Sequence, residues 1–253
     1  MTERALVFGS VAQAYERYRP DYPPEVVDLV VDHACRPVRT ALEIGAGTGK
    51  ATRVFAERGV AVTATDPDPA MLAELRRHVP ATVTTVETTL EDLEASSTYD
   101  LVFAAASLHW TEPTQRWARV AGLLEPEGVF ASFGGQLLLA DPALEDALQA
   151  AQSPWLTDDG FPSPDGTPKD APMRWPGSEL ERSDLFDEVR QHVVARRPSV
   201  PALDYVGHLS TISAYLMLTA ADRQRAFDAI LAVLPDEVQL SADLTRHVAR
   251  RVG

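Results

Sequence analysis

Short apolar runs alternate with stretches of helical periodicity along this chain. Residues 41–44, 61–65, 81–89, 99–106 and 129–133 each read as a strand, and the run at 99–106 is nearly continuous in apolar residues, as expected for a strand covered on both faces. Between them, apolar residues recur every three or four positions. Val26, Val27, Val30, Val31 and Ala34 mark one helix, with His33 expected on its solvent side; Val54 and Phe55 mark a second that ends at Gly59. Trp117, Val120, Ala121 and Leu124 mark a third over 113–124. Strand and helix in strict alternation predict an α/β fold with a mostly parallel sheet.

The flanking regions extend the pattern. Val7, Val11, Tyr15 and Tyr18 predict a short helix stopping before Pro20. Beyond the fifth strand, 141–152 reads as a helix, 186–195 as a strand carrying Val189, His192 and Val193, and 202–218 and 220–234 as helices. Residues 240–252 fit a closing antiparallel strand. Asp68 before Pro69, and Thr219 with Asp222, have the form of helix N-caps. Prolines at 154, 162, 164, 168, 172 and 176 forbid regular structure between 153 and 177; with Trp155, Phe161, Met173, Arg174 and Trp175 this stretch suits a substrate lid or a loop anchored by its aromatics. The expected organisation is one domain over 1–253: a seven-stranded, mostly parallel sheet with helices on both faces, a helical cover at 1–35 and an inserted lid at 136–182.

Composition narrows the chemistry. Of the 253 residues, 23 are basic and 37 acidic, a formal charge of −14, so nucleic acid and anionic membrane surfaces are repelled at long range. Cys35 is the sole cysteine, which excludes an internal disulfide, and the six histidines show no zinc-binding spacing. No metal is expected. No apolar run approaches a membrane span, and a cytoplasmic monomer or homodimer acting on a small molecule is the expectation.

Chemistry concentrates at 40–50, Thr-Ala-Leu-Glu-Ile-Gly-Ala-Gly-Thr-Gly-Lys. A strand carrying Glu43 runs into Gly45, Gly47 and Gly49, a spacing that permits positive φ and close approach of a ligand. The third glycine comes one residue too early for a dinucleotide fingerprint, and the P-loop pattern also fails. Asp66, seventeen residues after Gly49, ends the second strand where nucleotide-binding folds place a carboxylate for a ribose diol.

These segments resemble, in order, the motifs of class I S-adenosylmethionine-dependent methyltransferases of the small-molecule kind (methyltransferase type 11, trans-aconitate methyltransferase-like). The likeness runs from about Ala5 to Gly135. Tyr15-Glu16-Arg17-Tyr18-Arg19-Pro20-Asp21-Tyr22-Pro23 is similar to a family segment that folds over the cofactor, which implicates Tyr18 and Arg19, the latter as a partner for a carboxylate. The resemblance implies a Rossmann-like fold binding S-adenosylmethionine through Glu43, Gly45, Gly47, Gly49, Asp66 and Pro67, with Met71 against the adenine. Leu90 and Glu91 stand where the family often reads Ala-Glu-Asp-Leu and contacts the adenine edge, although Asp92 also suits a helix cap there. Ala105 and Trp110 border the same site at the end of the fourth strand. His109 is the candidate catalytic residue, a general base for an attacking hydroxyl or else a packing group on the cofactor.

The implied activity is methyl transfer to a small organic acceptor, O- or C-methylation of a carboxylic acid or a natural-product metabolite. Arg19, Arg174 and the Ser107-Leu108-His109-Trp110 segment favour a carboxylic acid; the aromatic, proline-rich stretch favours a larger apolar metabolite. An enzyme that uses the bound sulfonium without methylating, for a cyclisation or rearrangement, is the alternative. A nicotinamide-dependent oxidoreductase is disfavoured by the glycine spacing.

Overall fold

The computed structural model describes residues 8–94, 97–156, 163–168 and 170–253; Ala5, Val7, Phe161 and Pro162 lie outside them. A 3-10 turn at Phe8–Val11 leads into α1 (Ala12–Tyr18), followed by α2 (Glu25–His33), β1 (Thr40–Ile44), α3 (Lys50–Glu57), β2 (Ala61–Asp66), α4 (Pro69–Leu75), β3 (Thr84–Glu87) and β4 (Tyr99–Ala105). After a 3-10 turn at Leu108–Trp110 come α5 (Arg116–Leu123), β5 (Leu124–Gly134), β6 (Leu138–Leu139), α6 (Pro142–Gln152), α7 (Gly177–Glu181), β7 (Phe186–Val194) and β8 (Ser199–Pro201). The chain ends with α8 (Ala202–Leu209), α9 (Ser213–Leu216), α10 (Ala220–Val233), β9 (Glu237–Ser241) and β10 (Leu244–Arg251).

Seven strands form one sheet in the order β3-β2-β1-β4-β5-β10-β7, in which β10 is antiparallel to both neighbours and the β1 to β5 pairings are parallel. This is a Rossmann-like architecture. Alternation along the central strands sorts side chains to two faces. On one, Ala41, Phe103, Val129, Ala131 and Phe133 meet Val26, Val27 and Val30 of α2 and Val54 and Phe55 of α3; on the other, Leu42, Ile44, Val102, Ala104 and Phe130 meet Leu108, Val120, Leu123 and Leu180. Strand order turns back between β1 and β4, so the crevice at their carboxyl ends is the natural ligand position.

A second layer stands beyond that edge. β6, β9 and β8 make a small antiparallel sheet, and with α6, α8 and α10 they enclose a separate apolar core of Leu139, Leu148, Tyr205, Val206, Leu209, Ile230, Val238 and Leu240. The cap therefore draws on 138–156 and 199–241, two stretches rather than 136–182 alone. Trp155 packs on this cap core, whereas Trp175 packs against the sheet core under Arg116, whose guanidinium lies 5.3 Å from its ring. Both tryptophans anchor chain to protein, and neither lines the crevice.

Several local expectations change. His33 is 3% exposed, because α2 turns it toward the neighbouring strands while Val31 faces solvent. The expected 202–218 helix breaks between α8 and α9, where Thr211 Oγ1 donates to the His208 carbonyl at 2.7 Å. Asp92 caps no helix; its N–H donates to Thr89 Oγ1 at 3.1 Å in a turn. By contrast, Asp68 accepts from Ala70 N–H at 2.9 Å and Thr219 from Asp222 N–H at 3.1 Å, both as N-caps.

Candidate active site

The site begins with the loop that leaves β1. Gly45, Gly47 and Gly49 have φ of 65°, 57° and 85°, in the left-handed region where glycine is strongly favoured. A Cβ on Gly45 would stand 2.6 Å from Ser107 Cβ, and one on Gly49, the N-cap of α3, 2.7 Å from Leu75 Cγ. Both flanks of the loop are pressed onto protein. At Gly47 the nearest neighbour is Met71 Cε at 3.4 Å, so the backbone there is left approachable.

Below the loop lies an open crevice. Glu43, Gly45, Gly47 and Thr48 form one end; Ala105, Ala106 and Gly134 cross its floor; Tyr15, Arg19 and Tyr22 cover it. Glu43 is fully buried. Its Oε2 accepts from Thr52 Oγ1 at 2.5 Å, but Oε1 has no hydrogen-bond partner, nor has the buried Thr48 Oγ1 beside it. Burial pushes the Glu43 carboxyl up to about 8, opposed by the Thr52 hydroxyl. An orphaned buried carboxylate oxygen is costly, and a cationic ligand group is the partner that relieves it. Ala106, at φ 55°, holds strained backbone where β4 opens onto the crevice, a pattern concentrated at functional sites.

Asp66 sits behind the loop, 8% exposed, its carboxylate accepting from Gly47 N–H and Asp68 N–H, each at 2.9 Å. Burial lifts it to about 6 against those two hydrogen bonds. Each oxygen retains a lone pair for a hydroxyl donor. The N-terminal cover closes over this end: Gly9 N–H donates to Asp68 Oδ2 at 2.9 Å, and Phe8 packs edge-on against both Tyr15 and Trp110 at about 6 Å. Two further fastenings hold the cover. Glu16 and Asp21 pair with Lys50 and Arg53 of α3, and Arg19 donates to Thr211 Oγ1 at 2.8 Å and its carbonyl at 2.9 Å.

The other candidates divide. Arg19 and Ala105 line the crevice with Gly45 and Gly47, Gly49 lies outside it against Leu75, and Met71, 4% exposed, lies beneath Gly47. Pro67 stays half-buried at the head of α4, and Trp110 is held by Phe8 and by the His109 ring, 4.7 Å away. Tyr18 is turned away, packing over Gly207 of α8, and Tyr15 takes the crevice position in its place. Leu90 is a core side chain. Glu91 is also diverted, because its Oε1 accepts from Glu112 N–H at 2.6 Å. His109 stands on the 3-10 turn outside the crevice wall with its side chain exposed. Protein crowded beneath it and the Arg116 guanidinium hold its imidazole below the usual range, toward about 4; the open face softens that shift without reversing it. Sequence reading missed Tyr15, Tyr22, Ala106 and Arg196 as crevice residues, and only the tyrosines carried a signal, the aromatic density of 15–22. Among the described residues no group of three or more acidic, His or Cys side chains could hold a metal, and no helix is long and apolar enough to cross a membrane.

Residues 42–130 match the family model for the methyltransferase domain. The chain is 43% identical over 126 residues to an uncharacterized methyltransferase of Mycobacterium tuberculosis, spanning 50% of this chain and 51% of that one. It is 32% identical over 121 residues to trans-aconitate 2-methyltransferase of Escherichia coli, spanning 47% and 46%. The chain thus matches about half the length of these relatives. Among solved structures, a candidate type II methyltransferase from Anaeromyxobacter dehalogenans superimposes with a TM-score of 0.61 at 22% identity, over 93% of this chain and 97% of that one. Haemonchus contortus phosphoethanolamine N-methyltransferase 2, in complex with S-adenosylhomocysteine, gives 0.56 at 14% identity over 100% and 61%. At such identities the likeness is one of fold.

Proposed function

We propose that this protein transfers the methyl group of S-adenosylmethionine to a small organic acceptor, by O- or C-methylation of a carboxylic acid or a natural-product metabolite. The observation that carries the reading is Glu43: a fully buried carboxylate with one unpartnered oxygen, at the end of a strand that opens into three left-handed glycines. Glu43 and Thr48 suit the amino-acid end of the cofactor, Asp66 its ribose, and Met71 with Trp110 its adenine. When bound, the sulfonium supplies a methyl group that is already activated. The chain's own task is to align donor and acceptor and exclude water, which contributes up to ~7–11 kcal/mol without a strong acid or base. Tyr15, Tyr22 and the cover fastened by Arg19 do the excluding. His109, with an imidazole this weakly basic, fits packing beside Trp110 better than proton abstraction.

Incubation with methyl-labelled S-adenosylmethionine and a panel of small acids, phenols and activated carbon acids tests the reading by mass spectrometry. A product heavier by one methylene is expected. Substrate consumed at unchanged product mass would point to the non-methylating alternative, and transfer to no small acceptor would count against the proposal.

A further inference from the structure

The crevice has a second end, and its cations are unequal. Lys50 is consumed by Asp21 at 2.9 Å and Glu16 at 3.7 Å; Arg19 is spent on Thr211. Arg196, in the connection from β7 to β8, is half-buried, lines the crevice, and its guanidinium has no hydrogen-bond or ion-pair partner among the described residues. Its backbone is held at both ends: the N–H donates to Asp243 Oδ1 at 3.3 Å, and the carbonyl accepts from Ala242 N–H at 2.9 Å. Asp243 is the acid that could neutralise it, but the Arg197 guanidinium occupies that carboxylate. The Arg196 backbone is therefore fixed, and its guanidinium is left without a partner.

Tyr22 shares this part of the wall. Its ring packs on Phe133 at 6.3 Å, and its hydroxyl, kept protonated by burial, feels the Arg196 charge as well as those of Glu43 and Arg19. A guanidinium fork beside a phenol donor matches a planar anion. The same crevice also carries Glu43, Asp21 and Asp243, so a singly charged carboxylate is tolerated where a dianionic phosphate is repelled.

We propose that Arg196 is the specificity-determining residue of the acceptor subsite, where it grips a carboxylate of the methyl acceptor with Tyr22 donating alongside. This rests on the methyltransferase reading above. The competing source of the same chemistry is the methionine carboxylate of the cofactor, and the test separates the two. Isothermal titration calorimetry measures S-adenosylhomocysteine affinity for wild type, Arg196→Ala and Arg196→Lys. Saturation-transfer NMR on the cofactor-loaded proteins then measures binding of the monocarboxylates benzoate, cinnamate and hexanoate against their neutral amides.

The expected result is binding of at least one acid in preference to its amide by wild type, weakened about tenfold or more in Arg196→Ala and less in Arg196→Lys, with S-adenosylhomocysteine affinity within about twofold of wild type. Loss of cofactor affinity in Arg196→Ala with acid binding unchanged overturns the assignment in favour of the cofactor carboxylate. Acids and amides bound alike, or no acid bound by loaded wild type, overturns it outright. Failure of wild type to bind S-adenosylhomocysteine would instead overturn the methyltransferase reading. Since the Arg196 side chain bonds to nothing, its variants should melt with the wild type.

Discussion

Asp66 and Glu43 show how a single side chain couples the fold to its ligand. Asp66 accepts two backbone N–H groups, one from the glycine loop, so Asp66→Ala should weaken cofactor binding by about tenfold or more and also cost roughly 1–3 kcal/mol of stability through the donors left unpaired. Asp66→Asn keeps one acceptor oxygen and sets its NH2 against the other backbone donor, so it should lose stability as well as affinity, which calorimetry and thermal melting together would reveal. Because its carboxyl titrates at about 6 and a ribose diol needs the ionised form, cofactor affinity should fall as pH drops below that value. Glu43, at about 8, is largely protonated at pH 7 before a ligand arrives. Pairing with an ammonium requires the carboxylate, so cofactor binding at pH 7 should release protons, seen as a dependence of binding enthalpy on buffer ionisation enthalpy. Binding with no proton release would mean that Glu43 meets no cation. For His109→Ala, lower activity with no change in the pH profile between 6 and 8 is expected if its ring only packs beside Trp110, and a shifted profile would show it acting as a base. The glycine loop and Asp66 were readable in sequence because their residue types are dictated by local backbone and by strand position. Arg196 was not, since it is one arginine among many until the β9 to β10 turn is folded against it.

The N-terminal segment is the element on which access depends. It ties to α4 through Gly9 and Asp68, to α3 through Glu16 and Asp21, and to the cap through Arg19 and Thr211. These ties reach buried groups, Lys50, Asp68 and Thr211 each being 8% exposed or less, and the rings of Phe8, Tyr15 and Tyr18 add packing, so the cover is held by separate fastenings to three elements rather than by a core of its own. Amide exchange over 8–18 should be rapid in the free protein and slowed by S-adenosylhomocysteine, and Arg19→Ala should abolish much of that slowing. The cap is different in kind, because it has its own apolar core. Ile230→Ala, at a fully buried cap position, should cost about 2–5 kcal/mol and reduce acceptor turnover while S-adenosylhomocysteine still binds the sheet domain; parallel loss of both would show that cap and sheet unfold together. Helix periodicity made α2, α3, α6 and α10 legible. The three-stranded cap sheet was not, since β6 and β8 are two and three residues long and acquire their pairing only from β9.

At the scale of the whole molecule, three buried histidines set the acid limit. His33, His208 and His247 are each under 5% exposed, and burial lowers all three, His208 to about 3 and His247 to about 4. The unfolded chain takes up protons near 6.5 and the folded one does not, so stability is full above about 6.5 and falls as pH drops toward 4. Glu43 and Asp66 act in the opposite sense: their raised values make ionisation a cost that grows with pH and is relieved by acid. Melting temperature should therefore decline between pH 6.5 and 4.5 by less than the histidines alone would give, and His247→Gln should flatten the decline. The sequence by itself determined a mostly parallel seven-stranded sheet and the position of the glycine loop, because alternation, periodicity and glycine spacing are properties of neighbours along the chain. Only the tertiary structure decided which groups meet across it: that Tyr15 rather than Tyr18 covers the crevice, that Glu91 is drawn off to Glu112, that His33 is interior, and that Arg196 alone among the described crevice cations has a side chain with no hydrogen-bond or ion-pair partner. Pairing between distant segments follows from packing, and no local pattern encodes it.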